Sequence, residues 1–113
     1  MLIAKTLERM IISSGRNLHD INHFLKVWAF ARTIGRQEGL DVTTQQILEL
    51  AAIVHDIACP ICREKYGNTK GKNQELEGGP LATNFLRRCG WQESVVARVS
   101  KLVARHHTYD NVD

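Results

Sequence analysis

Four histidines and one aspartate occupy positions that a solvated surface does not explain well. His23 lies on the apolar side of one helical segment, and His55 and Asp56 close a segment that is apolar almost all round. His106, followed by His107, continues the apolar spacing of the last helical segment. Imidazole nitrogens and a carboxylate suit borderline and hard divalent cations. Convergence of His23, His55 and Asp56 from two helices would therefore form a metal site.

Each histidine also has an ordinary explanation, because a histidine on an apolar face is often a hydrogen-bonded core residue. Asp56 is harder to explain in this way, since burying an unpaired carboxylate costs several kcal/mol. Adjacent helical residues diverge by about 100°, so His55 and Asp56 can share one ion only where their helix ends. Pro60 disfavours helical geometry in the residue before it, which predicts a helix end near Ile57 to Cys59.

The bulk composition is that of an ordinary soluble globular protein. The 113 residues are 43% hydrophobic and 24% charged, with a formal net charge of +3. A chain of this length forms one domain, and its mild, mixed charge does not favour a membrane or a nucleic acid polymer as partner. The first residues, "MLIAKTLERMII", contain three charges and lack the continuous apolar region of a signal peptide. We therefore expect a cytoplasmic protein.

The three cysteines do not form a recognisable disulfide or zinc framework. Cys59 and Cys62 make a C-x-x-C, and Cys89 stands alone. A zinc ribbon needs a second ligand pair, and a thioredoxin-type motif follows a strand in a βαβ unit. Neither is present in the sequence pattern, so we interpret the cysteines as ordinary reduced thiols, with Cys59 and Cys62 in a loop.

The spacing of apolar residues is helical throughout, and no segment alternates long enough to predict a strand. We expect an all-α fold, a single compact bundle of about five helices covering residues 2–13, 19–38, 43 to about 58, 74–88 and 92–107. The third helix starts with a capping-box pair, Thr43 and Gln46, and its apolar character makes it the central helix. Residues 60–73 are predicted to be a polar, mobile loop.

Two helices carry apolar stripes that predict their buried faces. In helix two the stripe comprises His23, Val27, Phe30, Ala31 and Ile34. In helix five it comprises Val95, Val99, Leu102 and His106. His19 lies among polar neighbours at a helix start and is interpreted as a surface or capping residue.

The order of these motifs resembles the HD-domain metal-dependent phosphohydrolase superfamily. The matching pieces are "HFLKVWAFARTIG", "LAAIVHDIA", "EGGPLATNFLRRCG" and "VSKLVARHH", and they cover nearly the whole chain after residue 18. The stretch "KYGNTKGKNQELEGGPLA" is similar to a bacterial subgroup of small HD hydrolases. The resemblance implies one HD-type helical domain over residues 1–113, with an N-terminal helix in 1–17 and the metal-site core in 18–113.

Residue by residue, the resemblance implies that His23, His55 and Asp56 are metal ligands. The fourth ligand in this superfamily is usually an aspartate on the helix after the paired histidines. Asp110 and Asp113 are the only later acidic residues, and they come earlier than that pattern. Three alternatives follow: a truncated form of a longer domain, substitution by one of these two aspartates, or an incomplete site.

The chemistry implied by the resemblance is hydrolysis of a phosphate ester. Asp56 would ligate the ion and orient the attacking water, and His106 and His107 would donate to a phosphate oxygen, assist the leaving group or bind a second ion. Basic residues after Asp56 would counter the substrate phosphates, or else form a solvated surface: Arg63, Lys65, Lys70 and Lys72. Glu75 and Glu77 would accept protons or favour the start of their helix.

Three functions remain open at this point. The first is a metal-dependent phosphohydrolase acting on a nucleotide or another small phosphorylated metabolite. The second is a catalytically incomplete HD domain that binds a metal or a nucleotide in a regulatory role. The third is a helical interaction domain whose histidines are core residues. The ligand types admit Mn, Fe, Co, Ni, Zn or Mg, and the apolar residues of helix one fit either a homodimer surface or the core.

Overall fold

The computed structural model describes residues 2–105, and the all-α prediction is confirmed for them. They form α-helices joined by short turns, without a strand in that range. The elements are α1 (Leu2–Ser13), α2 (Leu18–Gln37), α3 (Val42–Val54), α4 (Cys59–Tyr66), α5 (Gly71–Arg88) and α6 (Glu93–Arg105).

Helix α3 lies at the centre of the fold, as its apolar character predicted. It packs against α1, α2 and α6, and Leu50, Ile53 and Val54 are completely buried. Helix α6 covers one side of this core with Val96, Val99 and other valines, and α5 packs along α6. Burial of each such side chain contributes about 1.5–3 kcal/mol, so α3 fixes the position of whatever follows its last turn.

Helix α3 begins with a different cap from the predicted one. Asp41 is the N-cap, in an extended conformation, and its side chain accepts a hydrogen bond from the backbone N–H of Thr44 at 3.3 Å. The predicted capping box of Thr43 and Gln46 is therefore wrong, since both residues already lie inside the helix. Aspartate ranks above threonine as an N-cap, and this preference favours Asp41 over Thr43, two positions later.

The buried face of α2 is offset from the predicted stripe. Phe24 is only 2% exposed, whereas Phe30 and Ile34 are each 55% exposed. Ile21 and Trp28 join Phe24 against the core. The apolar residues of α2 cover more than half of its circumference, so spacing alone could not choose between two overlapping faces. The choice made from the sequence was wrong for Phe30 and Ile34, and also for His23, which is exposed.

The predicted loop over residues 60–73 is wrong in its first half, because Cys59–Tyr66 is the helix α4. Pro60 lies in the first turn of α4, where the missing N–H costs nothing; it opens a helix instead of merely following one. Gly67, at φ 72°, ends α4 in the left-handed conformation that glycine adopts freely. Cys59 and Cys62 are accordingly buried helix residues and not loop thiols.

Helices α5 and α6 pack closely through small residues. A methyl group on Gly78 would lie 3.1 Å from Cγ1 of Val103, and one on Gly79 would lie 3.4 Å from Cβ of Ala104. Helix α5 begins at Gly71, three residues before the predicted start. On α6, Val95, Val96, Val99 and Val103 are buried while Leu102 is exposed, so the predicted stripe is correct at Val95 and Val99 and wrong at Leu102.

None of the helices in residues 2–105 is both long enough and apolar enough to cross a membrane.

Candidate metal centre and the adjoining cavity

His55 and Asp56 lie directly after the last residue of α3, at the start of the turns that follow it. Helix α3 stops at Val54, and His55 is its C-cap residue. Tight turns follow, in which the N–H of Ile57 donates to the carbonyl of Val54 and the N–H of Cys59 donates to the carbonyl of Asp56, both at 3.0 Å. The two residues thus lie where α3 ends, which is the place at which the sequence predicted that adjacent side chains could share one ion.

His23 reaches the same point from α2, whose position against α3 is set by a buried polar contact. The indole N–H of Trp28 donates to Oε1 of Glu49 at 2.9 Å, and the amide of Gln45 donates to Oε2 of the same carboxylate at 2.9 Å. Gly35 of α2 lies directly against the Gln45 amide, where a Cβ atom has no room. These contacts fix the register of α2 along α3 and therefore the position of His23 relative to the end of α3.

Three side-chain atoms meet at the helix junction. Oδ2 of Asp56 lies 3.1 Å from Nε2 of His23 and 3.0 Å from Nε2 of His55. The two Nε2 atoms are 3.2 Å apart. The imidazole rings are tilted by 58° with centroids 5.2 Å apart, so they do not stack, and their nitrogens point to a common position.

A hydrogen bond orients the ring of His55. Its Nδ1 lies 2.7 Å from the carbonyl oxygen of Ala52, which accepts only, so Nδ1 carries the proton. In the neutral imidazole Nε2 then holds the lone pair that a metal needs. Burial alone would lower the pKa of His55, but the hydrogen bond and charge of Asp56, together with the Ala52 carbonyl, raise it above its ordinary value.

The distances fit the coordination of a divalent ion. Neighbouring ligands at about 2.1 Å from a metal are about 3.0 Å apart in an octahedral shell and about 3.4 Å apart in a tetrahedral one. The three observed separations are 3.0, 3.1 and 3.2 Å. Hydrogen bonds without a metal explain these three distances less well. If both histidines donated an N–H to Asp56, their two Nε2 atoms would face each other as donors. His23, His55 and Asp56 could therefore hold one divalent ion.

A small cavity borders Asp56 and His23 on the side of α1 and α4. Its volume is about 20 Å³, and its lining includes Asp20 and Pro60. Asp20 is not free to act as a ligand, because Arg63 of α4 binds both of its oxygens, at 2.7 and 2.8 Å. This bidentate pair joins the start of α2 to α4 beside the three-residue cluster.

The basic residues predicted to bind substrate do not converge. Arg63 pairs with Asp20, and Lys65 pairs with Glu77 at 2.7 Å. Lys72 has an exposed side chain on α5, and Lys70, also exposed, precedes that helix. None of these four cations is part of the lining described for the two cavities.

Glu77 is engaged in an ion pair and does not resemble a proton acceptor. Its carboxylate accepts hydrogen bonds from Lys65 and from the hydroxyl of Tyr66. The Lys65 ammonium, followed by the Tyr66 hydroxyl, lowers the pKa of Glu77 below its ordinary value. Glu75 is half-buried on the same helix. His106, His107, Asp110 and Asp113 lie outside the described residues.

Cys59 is near the cluster but is chemically quiet. Burial, followed by the negative charge of Asp56, raises the pKa of the Cys59 thiol to about 12. Burial also raises the pKa of Cys62. A thiol that stays protonated is a poor nucleophile and a poor metal ligand, which agrees with an ordinary structural role.

A much larger cavity, of about 660 Å³, opens between α3 and α6 with His55 in its wall. Helix α6 contributes three cations to this wall that were not among the predicted site residues: Arg98, Lys101 and Arg105. Their spacing of three and four residues places them on one side of α6. That spacing was a usable signal in the sequence, but it is also the ordinary pattern of a solvated helix face.

Comparison with known families agrees with this architecture. The family model of the HD domain matches residues 20–112, a range that includes His23, His55, Asp56 and the helices presenting them. The chain belongs to the HD-domain family, and the resemblance drawn from its motifs is confirmed. This family falls within a superfamily of metal-dependent phosphohydrolases, and its members typically bind divalent metals. No curated protein and no solved structure matches the chain.

Proposed function

We propose that this HD domain is a metal-dependent phosphohydrolase that cleaves a phosphate ester of a nucleotide or another small phosphorylated metabolite. The observation that carries the proposal is the convergence of His23, His55 and Asp56 within hydrogen-bond distance of one another. Two neutral imidazoles and one carboxylate leave a divalent ion with net positive charge, which suits an anionic phosphate substrate. We assign these three residues as the metal ligands.

The residues of the chain would prepare and hold the reacting groups. A bound divalent ion supplies an acidic water near neutral pH and polarises a phosphoryl oxygen. The Ala52 carbonyl holds His55 with Nε2 directed to the cluster. Asp56 would contribute the negative charge that binds the ion. It would also accept a hydrogen bond from the attacking water. His106 and His107, assigned from the sequence motif, would donate to the phosphate or to the leaving oxygen.

The roles proposed for the basic residues differ from one another. Arg63 is assigned to positioning, because its two hydrogen bonds with Asp20 hold α4 against the start of α2 beside the cluster. Lys65 and Lys72 are the remaining candidates for contacting substrate. Lys65 would have to leave Glu77 to do so, whereas Lys72 is exposed.

The proposal is tested by turnover of metal-loaded protein on a panel of nucleotides and phosphomonoesters. Loading with Mn, Fe, Co, Ni, Zn or Mg in parallel identifies the supporting ion. We expect phosphate release with at least one metal, and a loss of about a thousandfold or more in kcat/KM for Asp56→Asn, since the variant loses a ligand that is also charged. His19→Ala is the matched control, because His19 is exposed on the same helix as His23.

A metal-loaded protein without turnover on the whole panel would overturn the enzymatic assignment. That result would favour the second function, a metal- or nucleotide-binding regulatory module built on the same cluster.

A homodimer is a separate prediction. Ile12 of α1 is 70% exposed and Leu18 at the start of α2 is 69% exposed, and a homodimer covering them would appear as twice the chain mass in light scattering.

A further inference from the structure

The cavity between α3 and α6 has one strongly cationic side. Arg98, Lys101 and Arg105 line it from a single side of α6, and all three are exposed. The opposite side of α6, including Val96 and Val99, is buried in the core. The cations thus project from a rigid helix whose orientation is fixed by packing, and they face a space of about 660 Å³.

These cations differ from two other arginines, which are held in ion pairs. Arg63 and Arg87 each bind a carboxylate, Asp20 and Glu93 respectively. In the part of the chain that the structure describes, no ion pair is formed by Arg98, Lys101 or Arg105.

Their arrangement carries a cost that an anion would remove. Like charges three or four residues apart on a helix destabilise it. The described lining of the cavity contains no carboxylate. A negatively charged group in the cavity would neutralise this repulsion and accept charge-assisted hydrogen bonds from the arginines.

The other side of the cavity is apolar. Leu48 and Ala51 of α3 and Leu102 of α6 line it, and both leucines are exposed to it. A cavity of this size lies within the usual range for small-molecule sites of about 300–1,000 Å³, which combine an apolar wall with a few polar groups. His55 stands in the same wall, so an anion held by α6 would lie beside the candidate metal centre.

We propose that this cavity is the substrate site, and that it selects phosphomonoesters carrying an apolar or aromatic group. Arg98, Lys101 and Arg105 bind the phosphate next to His55, while Leu48 and Leu102 pack against the organic group. The inference deepens the proposed function and rests on it, since it places the substrate of that reaction. It also replaces the basic residues around α4 with those of α6 as the phosphate-binding set.

The test is calorimetric binding of adenosine monophosphate, adenosine and inorganic phosphate to the full chain in the presence of a chelator. We expect the monophosphate to bind at least about tenfold more tightly than adenosine, because each charge-assisted hydrogen bond corresponds to about a factor of ten. The double variant Arg98→Gln, Lys101→Gln should raise the Kd of the monophosphate about tenfold or more and leave that of adenosine unchanged. Lys5→Gln, which removes an exposed cation of α1, should change neither.

A second variant checks the apolar wall. Leu102→Ser should weaken the monophosphate and adenosine alike and leave inorganic phosphate unaffected. Any one of three results would overturn the proposal. The monophosphate and adenosine could bind with equal affinity, or neither could bind at millimolar concentration. The third is a Kd of the monophosphate for the double variant within twofold of that for the parent chain.

The outcome is separable from that of the metal centre. His23→Ala should lose bound metal yet retain monophosphate binding in chelator, whereas the α6 double variant should retain metal. Loss of monophosphate binding in the double variant of a protein that binds no metal would support the cavity and refute the metal-dependent mechanism. Metal-dependent turnover that is unchanged in the double variant would support the metal-dependent mechanism and refute the cavity as the substrate site.

Discussion

Nε2 of His23 and Oδ2 of Asp56 lie 3.1 Å apart although they come from different helices and are separated by 33 positions in the chain. The contact depends on two independent features. The packing of α2 on α3 sets the position of His23 along α3, and α3 ends at Val54, two residues before Asp56. A carboxylate oxygen thus lies within hydrogen-bond distance of two imidazole nitrogens that come from separate elements.

The buried face of α2 predicts a large difference between two phenylalanines. Phe24→Ala should lower the free energy of unfolding by about 3–5 kcal/mol, because it opens a cavity in the core. Phe30→Ala should cost less than about 1 kcal/mol, since more than half of that side chain is exposed. Urea denaturation followed by circular dichroism measures both. Similar losses for the two variants would contradict the assignment of the buried face.

Gly35 predicts a substitution in which two effects oppose each other. Alanine in a helix interior gains about 0.5–1 kcal/mol over glycine. At Gly35 the new methyl group would displace the Gln45 amide, which donates to the buried Glu49, and a hydrogen bond to a charged group contributes about 1.5–3 kcal/mol. We therefore expect Gly35→Ala to destabilise the protein by about 1 kcal/mol.

Gly79→Ala supplies the control for Gly35, because its methyl group would meet Ala104 at an ordinary 3.4 Å. This variant should be neutral or slightly stabilising in the same denaturation experiment. If Gly35→Ala were as stable as Gly79→Ala, the Gln45 contact would not fix the register of α2 on α3.

Arg63 predicts a test of positioning against substrate binding. Arg63→Gln should lower stability by about 1 kcal/mol at low salt, and less at high salt, because it breaks a partly exposed bidentate pair with Asp20. In the binding assay it should leave the Kd of adenosine monophosphate unchanged. Arg87→Gln breaks a more exposed pair with Glu93 and should cost less stability. A tenfold weaker monophosphate complex for Arg63→Gln would instead return Arg63 to the substrate site.

The cysteines predict resistance to alkylation in the folded protein. All three are buried, and a Cys59 pKa of about 12 leaves a negligible thiolate fraction at pH 8. Because the pKa is raised above that of an unfolded thiol, reactivity should appear only when the chain unfolds or when the pH approaches the folded value. Mass spectrometry after iodoacetamide treatment should find unmodified native protein and three modifications in urea. Rapid native modification of Cys59 would contradict the burial.

The parts of this structure that local sequence controls were predictable. Helical spacing gave the all-α class, and the apolar character around Leu50 and Ile53 gave the central helix. The pairing of His55 and Asp56 at a helix end followed from Pro60, although the end falls several residues earlier than that proline alone suggested. In each case the residues that determine the local structure lie within a few positions of the sequence pattern that predicted it.

The parts that tertiary packing controls were not predictable in the same way. Pro60 is compatible with ending one helix or opening the next, and only the position of α4 against α5 decides. The face of α2 depends on which side α3 occupies. Arg63 and Lys65 look like free cations in sequence, but each pairs with a carboxylate on another element. The cations of α6 form no ion pair with the residues in 2–105, and in sequence they resemble any solvated helix face.

The central claim is that His23, His55 and Asp56 form one metal site, and the metal content of purified variants tests it most directly. Protein loaded with Mn, Fe, Co, Ni, Zn or Mg and then desalted should retain one ion per cluster, measured by plasma mass spectrometry. His23→Ala and Asp56→Ala should each lose the ion while remaining folded, and His19→Ala should retain it. Unchanged metal content in both His23→Ala and Asp56→Ala would show that these residues are not the ligands.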